Sequence, residues 1–94
     1  MSDRLFGTAL HALTVQVEGA LFVVDLRDGG CFELNGAAAV IWRGLVGGRP
    51  PAEISRELAA RFGIDEPRAQ ADVAAFVSGL AARGLVREDL PGAP

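Results

Sequence analysis

The sequence predicts one domain of the α+β class, in which a three-stranded antiparallel sheet is followed by three helices. Two observations predict this order. Up to residue 34, apolar residues lie in short strand-like segments separated by turn-forming pairs that contain glycine. From residue 36 onward, apolar residues recur every three or four positions, as in an amphipathic helix. The 94 residues suffice for one compact core but not for two.

The first two predicted strands cover residues 13–17 and 20–26, joined by a turn at Glu18-Gly19. The first alternates between apolar and polar residues, so we expect one buried face, made of Leu13, Val15 and Val17. The second is apolar on both faces. A small sheet with helices on one side needs only one apolar face. We therefore expect the surplus face to be covered by the N-terminal arm or a second subunit, or to receive a partner.

The third predicted strand, Cys31–Leu34, follows the pair Asp28-Gly29, which is a strong hairpin signal. In an antiparallel meander the last strand has only one neighbour. It is therefore predicted to be an edge strand, whose backbone N–H and C=O groups can pair with another extended chain.

The first predicted helix covers residues 36–46. We expect Asn35 to be its N-cap, because a side-chain oxygen there can accept from a free backbone N–H. Almost every side chain of this helix is apolar, which is typical of a buried helix, and Trp42 is expected to anchor the core. Gly47-Gly48 is expected to end it.

The second predicted helix begins at the prolines of positions 50–51 and ends at Gly63. The third begins after Asp65, its expected cap, and ends at about Arg83. A left-handed helix end is expected at Gly84. Because a short turn containing glycine joins the last two helices, the domain is predicted to be winged-helix-like.

The chain divides into an N-terminal arm (1–12), the domain itself (13–86) and a flexible tail (87–94). No apolar run approaches the roughly 18 residues of a membrane span. The first residues lack the layout of a signal peptide, so a cytoplasmic location without membrane contact is expected.

Catalysis is poorly supported by the residue types. The lone histidine, His11, has no serine or cysteine near it in a recognisable nucleophile motif. The lone cysteine, Cys31, excludes an internal disulfide and a cysteine-rich metal site. The glycine pairs do not form a phosphate-binding loop. We therefore expect no catalytic residue, no metal and no cofactor.

DNA binding is an alternative, because helix-turn-helix domains commonly read DNA. The net charge is −3, the chain contains no lysine, and the third helix begins with Asp65 and Glu66. Phosphate contacts need several lysines or arginines, so we expect no nucleic-acid partner. A domain that dimerises through its open edge or apolar sheet face is a second alternative.

Peptide capture fits the predicted elements better. An extended peptide can add to a free sheet edge, and side chains of a neighbouring helix can form pockets for alternate peptide residues. Cys31–Leu34 and the third helix can supply both walls of such a groove.

Three segments together resemble the PqqD family. They are CFELNGAAAVIW (31–42), PPAEISRELAARFGID (50–65) and ADVAAFVSGLAARGLV (71–86), and the resemblance spans residues 20–86. It implies a peptide chaperone, or recognition element, for ribosomally made, post-translationally modified peptides. Such proteins hold the leader of a precursor peptide antiparallel along the third strand, in the groove beside the third helix.

The resemblance also implies the site residues and the partners. The peptide-binding residues would be Cys31, Phe32, Glu33, Leu34, Arg68, Asp72, Val73, Phe76 and Gly79. Asn35 and Trp42 match the family pattern but are expected to be structural. The implied partners are a precursor leader peptide and a tailoring enzyme. That enzyme would be a radical-SAM enzyme or, in lasso-peptide systems, a leader peptidase and cyclase. A monomer or weak homodimer is expected.

Overall fold

A computed structural model describes residues 5–89 of the chain. In this segment, three helices pack on one face of a three-stranded antiparallel sheet, and a separate two-stranded sheet pairs the segment's two ends. The elements are β1 (Leu5–Thr8), β2 (Ala12–Val17), β3 (Ala20–Asp25), β4 (Cys31–Leu34), α1 (Gly36–Val46), α2 (Pro51–Phe62), α3 (Glu66–Ala82) and β5 (Val86–Asp89). The predicted α+β class, with three strands followed by three helices, is confirmed.

The sheet order is β2-β3-β4, and the register decides which side chains face the helices. Thr14 of β2 and Phe32 of β4 both lie opposite Val23 of β3, which is only 1% exposed. Directly opposed residues of antiparallel strands point to the same face. Thr14 and Phe32 therefore lie on the helix side of the sheet with Val23.

The expectation that the apolar residues of β2 form its buried face is wrong. Leu13 and Val17 lie on the opposite face and are 47% and 52% exposed. The buried indole of Trp42 explains the reversal, since its N–H donates to Thr14 Oγ1 at 2.9 Å. A buried indole N–H needs an acceptor, and the polar residues of β2 can provide one where its valines cannot.

The outer sheet face, as we call this opposite face, is apolar across β2 and β3. Its residues are Leu13, Val15, Val17, Phe22 and Val24, together with Cys31 and Glu33 of β4. The arm was expected as one possible cover for it. Instead, β1 pairs antiparallel with β5, with Thr8 opposite Val86, and Leu13 and Val17 stay exposed.

Strand β1 falls in the segment that the sequence treats as the arm, and β5 falls in the predicted tail except for its first residue, Val86. Each has four residues with no clear alternation, so periodicity does not reveal them. Their pairing, and the packing of Phe6 against the core, hold both segments to the body. The division of the chain at 12 and 87 stays a prediction, and its ends, 1–4 and 90–94, lie outside the described residues.

The core lies between the sheet and the helices. Its largest fully buried side chains are Trp42, Leu45, Ile54, Leu58, Leu85, Val23 and Val73. Helix α1 is only partly buried, because Val46 at its end is exposed. Helices α1 and α2 approach closely at Gly44, where a Cβ atom would lie 2.6 Å from Ile54 Cγ1. Across residues 5–89, no helix combines the length and the apolar character that a membrane span requires.

The helices begin and end close to the predicted residues, but one of the two predicted N-cap side chains makes no hydrogen bond. Asn35 precedes α1, yet its side chain makes no capping hydrogen bond. Asn35 is exposed, so water can satisfy the first N–H groups of the helix. Asp65 does cap α3 by accepting from the backbone N–H of Arg68 at 2.8 Å. After α3, Gly84 adopts φ +73°, and buried Leu85 turns back onto the helix.

Two glycines give opposite expectations for stability. Gly44→Ala should lower the free energy of unfolding by about 1–3 kcal/mol, because the new methyl group overlaps Ile54. Gly79→Ala, inside α3, should leave it unchanged or raise it by up to about 1 kcal/mol, because nothing lies within 4 Å of the new Cβ atom. Urea unfolding of both variants measures this, and equal effects would contradict the α1–α2 packing.

Candidate functional site

Strand β4 has an unpaired outer edge. It pairs with β3 on one side, and no other strand within residues 5–89 pairs with it on the other. The arm could have closed this edge but pairs with β5. The outer edge of β4 is therefore available to an added strand.

The ladder shows which backbone groups face outward from this edge. At the β3–β4 hairpin, the N–H of Asp25 donates to the carbonyl of Gly30 at 2.7 Å. Bonded and non-bonded pairs alternate along an antiparallel ladder, so Phe32 binds β3 through its backbone. Cys31 and Glu33 occupy the non-bonded pairs. Their N–H and C=O groups consequently point away from β3, toward an incoming strand.

One stripe of α3 provides the second wall. Its residues recur at intervals of three or four and so share a helix face: Arg68, Asp72, Phe76, Gly79 and Arg83. Phe76 is half-buried against the core. Gly79 is exposed, and no atom lies within 4 Å of the place that a Cβ atom would take, so it leaves a notch beside Phe76. We call the space between this stripe and the β4 edge the β4–α3 groove.

A stacking contact joins the two walls. The Cζ atom of Arg83 lies 4.5 Å from the centroid of the Phe32 ring. This contact brings the end of α3 to β4 and places Phe32 on the groove side of the strand. Arg83 is not among the site residues predicted from the sequence. Its spacing from Phe76 and Gly79 could have indicated it, since 76, 79 and 83 follow the helical repeat.

The predicted site residues therefore divide by position. Phe32 faces the groove, and the α3 residues of the stripe share one face. The side chains of Cys31 and Glu33 lie on the outer sheet face, so only their backbone can face a peptide. Leu34 and Val73 are buried in the core, and Val73, at 2% exposed, can only support the groove from below. Their roles in peptide binding stay a prediction.

A polar cluster fixes the turn that follows α3. Arg27 Nε and Nη2 donate to the two carboxylate oxygens of Asp25, at 3.0 and 2.8 Å. Nη2 also donates to the carbonyl of Arg83 at 2.7 Å. His11 Nε2 lies 2.8 Å from the carbonyl of Gly84, which can only accept, so this nitrogen carries the proton. The end of β3 is thus tied to the end of α3.

Both the charges and the space around Arg27 favour its place in this cluster. The guanidinium and backbone N–H of Arg27 lower the pKa of Asp25 from 3.8 to about 2. Gly84 admits the guanidinium because it has no side chain: a Cβ atom would lie 3.0 Å from Arg27 Nη1. The positive φ of Gly84 excludes larger residues independently.

A second depression lies between α1 and α2, away from the groove. Its lining residues are Val40, Arg43, Gly44, Arg49, Glu57 and Arg61. Glu57 accepts from Arg49 and pairs with Arg61 at 3.2 Å, and the bond from Arg49 lowers the pKa of Glu57. Glu57 therefore engages Arg49 and Arg61 and ties α2 to the loop that precedes it. Within the described part of the chain, no three His, Cys, Asp or Glu residues cluster as a metal site would require.

Acid should weaken the Asp25–Arg27 pair in a defined pH range. The folded-state pKa of Asp25, about 2, lies below its ordinary value of 3.8, so the pair stabilises the fold fully above 3.8. That contribution is lost as pH falls from 3.8 toward about 2. Asp25→Asn should be less stable at pH 7 and should lose less stability over that range. Urea unfolding from pH 7 to pH 2 tests this, with Asp72→Asn, which removes an exposed carboxylate, as control. A wild-type pH profile in Asp25→Asn would contradict it.

Two solved structures of leader-peptide complexes resemble this fold. A lasso peptide synthetase B1 complexed with the leader peptide shares 27% sequence identity at a TM-score of 0.80, covering 87% of this chain and 96% of that chain. TbiB1 in complex with the TbiA(beta) leader peptide shares 23% sequence identity at a TM-score of 0.78, covering 94% of this chain and 98% of that chain. At this identity the likeness is one of fold. No curated protein matches. The family model described as coenzyme PQQ synthesis protein D (PqqD) matches residues 20–86, and the chain belongs to this family.

Proposed function

We propose that this protein is a non-catalytic binding module that captures the leader peptide of a ribosomally made, post-translationally modified peptide. The leader would add to the sheet as a strand beside β4. The observation that carries this proposal is the unpaired edge of β4 next to the stripe of α3. Membership of the PqqD family and the likeness to a leader-bound lasso peptide synthetase B1 support it.

The added strand would bind through both backbone and side chains. Its backbone would pair with the outward N–H and C=O groups of Cys31 and Glu33. Every second side chain would point into the β4–α3 groove, against Phe32 and Phe76 and into the notch at Gly79. A short peptide that becomes ordered on binding should reach micromolar affinity, about −8 kcal/mol.

The module would present the bound precursor to a tailoring enzyme in the cytoplasm. That enzyme would be a radical-SAM enzyme or, in a lasso-type system, a leader peptidase and cyclase. The positions of the histidine and the cysteine are consistent with a binding role. His11 is engaged with the Gly84 carbonyl, and the side chain of Cys31 lies on the outer sheet face, away from the β4–α3 groove.

A proline on the edge of β4 should separate peptide binding from folding. Glu33→Pro removes an outward N–H that β3 does not use, so the fold should tolerate it. Binding of a fluorescein-labelled leader, taken from a short precursor gene found beside the gene for this protein, should weaken at least tenfold. Glu33→Ala keeps the N–H and should bind as the wild type does. Fluorescence anisotropy measures both, and wild-type affinity in a folded Glu33→Pro variant would refute strand addition at this edge.

A charge in the groove should also weaken binding. Phe76→Asp places a carboxylate where apolar leader residues would pack, and the dissociation constant of the same labelled leader should rise more than tenfold. Ser78→Asp adds the same charge at an exposed position on the far side of α3, and should have little effect. Equal effects from the two variants would place the peptide elsewhere.

Self-association through the outer sheet face is the second candidate, because Leu13 and Val17 are exposed there. Three strands of up to six residues offer a footprint of roughly 15 by 20 Å, about 300 Å². A specific stable interface buries about 800 Å² on each partner. The face alone is too small for a stable homodimer.

We therefore expect a monomer at micromolar concentration. Sedimentation velocity should give a single species of about the chain mass of 9.8 kDa from 5 to about 100 micromolar. Leu13→Ser should sediment identically. A wild-type dimer that Leu13→Ser dissociates would favour the second candidate instead.

A further inference from the structure

We propose, resting on the function above, that Arg83 determines specificity in the β4–α3 groove by binding a carboxylate side chain of the peptide. The class of ligand would be an extended leader segment with an aspartate or glutamate at the position that passes Phe32. The observation behind this is the stacking of Arg83 on Phe32 at the open edge of β4.

The stack leaves the binding groups of the guanidinium free. Its Cζ atom lies over the Phe32 ring, 4.5 Å from the centroid, and this contact is made with the π face of the ring rather than with a hydrogen-bond acceptor. The N–H donors lie in the guanidinium plane and point outward from its rim. That fork matches the two oxygens of a carboxylate.

Among residues 6–87, whose side chains the structure describes, no carboxylate forms an ion pair with Arg83. Arg83 is also exposed. By contrast, Arg27 and Arg49 are each bound to an acidic side chain. Arg83 is therefore a cation at the groove whose charge the described residues do not neutralise.

The position of Arg83 is also fixed before any peptide binds. Its N–H bonds the carbonyl of Leu80 at 3.1 Å, and its carbonyl accepts from Arg27. The next carbonyl, of Gly84, bonds His11. With its backbone held and its side chain stacked, Arg83 loses little conformational freedom on binding, which favours affinity and selectivity.

Paired peptides test this specificity. A fluorescein-labelled leader, taken from a short precursor gene found beside the gene for this protein, would be compared with versions in which each acidic residue is singly changed to its amide. For one position, the wild-type protein should bind the acidic peptide about tenfold more tightly than the amide, as expected for a charge-assisted hydrogen bond. Arg83→Gln should bind both forms as weakly as the wild type binds the amide.

Two further variants separate geometry from charge. Arg83→Lys keeps the charge but loses the fork, and should retain only part of the preference. Arg56→Gln removes an exposed arginine of α2 and should retain all of it. Thermal unfolding of each variant checks that the fold is kept.

The outcomes distinguish the proposed role of Arg83 from the proposed capture of a leader peptide, on which it rests. If leaders bind the wild type but no acidic position matters, or if Arg83→Gln keeps the preference, the role of Arg83 is refuted and leader capture stands. If no leader binds the wild type, both proposals fail.

Discussion

The ion pair between Asp25 and Arg27 is the contact on which the groove depends. Asp25 lies at the end of β3 and is almost fully buried. Arg27 Nη2, which donates to Asp25, also donates to the carbonyl of Arg83. Helix α3 packs mainly against α2, while this bond and that of His11 tie the turn after α3 to the strands of the sheet. Together with the Arg83–Phe32 contact, they set the width of the space between α3 and β4 at the end where Phe32 lies.

The sheet serves two purposes because its two faces differ. On the helix side, Val23 and Leu34 complete the core, and Phe32 extends it to the rim of the groove. Along β4 the backbone and the side chains both alternate with a period of two residues, so Cys31 and Glu33, whose side chains lie off the core face, are also the residues that present their N–H and C=O groups to a partner. A short edge strand can therefore be anchored by some of its residues and bind through the others.

The choice of which face of β2 points to the helices is the most instructive difference between expectation and structure. Alternation in β2 is clear, but alternation alone does not say which face is inside. The register with β3 puts Thr14 on the helix side, where it accepts the indole N–H of Trp42. Thr14 thus satisfies the buried indole N–H, while Leu13 and Val17 stay exposed on the other face. Local sequence carries no sign of a requirement set by a residue 28 positions away.

The sequence by itself determined the order of the three sheet strands β2–β4 and the three helices, the edge position of β4, the ends of the helices and the family resemblance. These follow from short-range causes: periodicity, turn chemistry, and the conformations open to glycine, proline and aspartate. Only the tertiary structure decided that β1 pairs with β5, which face of β2 is outside, and that Arg83 stacks on Phe32. Each of these joins residues far apart in the chain, where the free energy comes from packing and from satisfying buried polar groups.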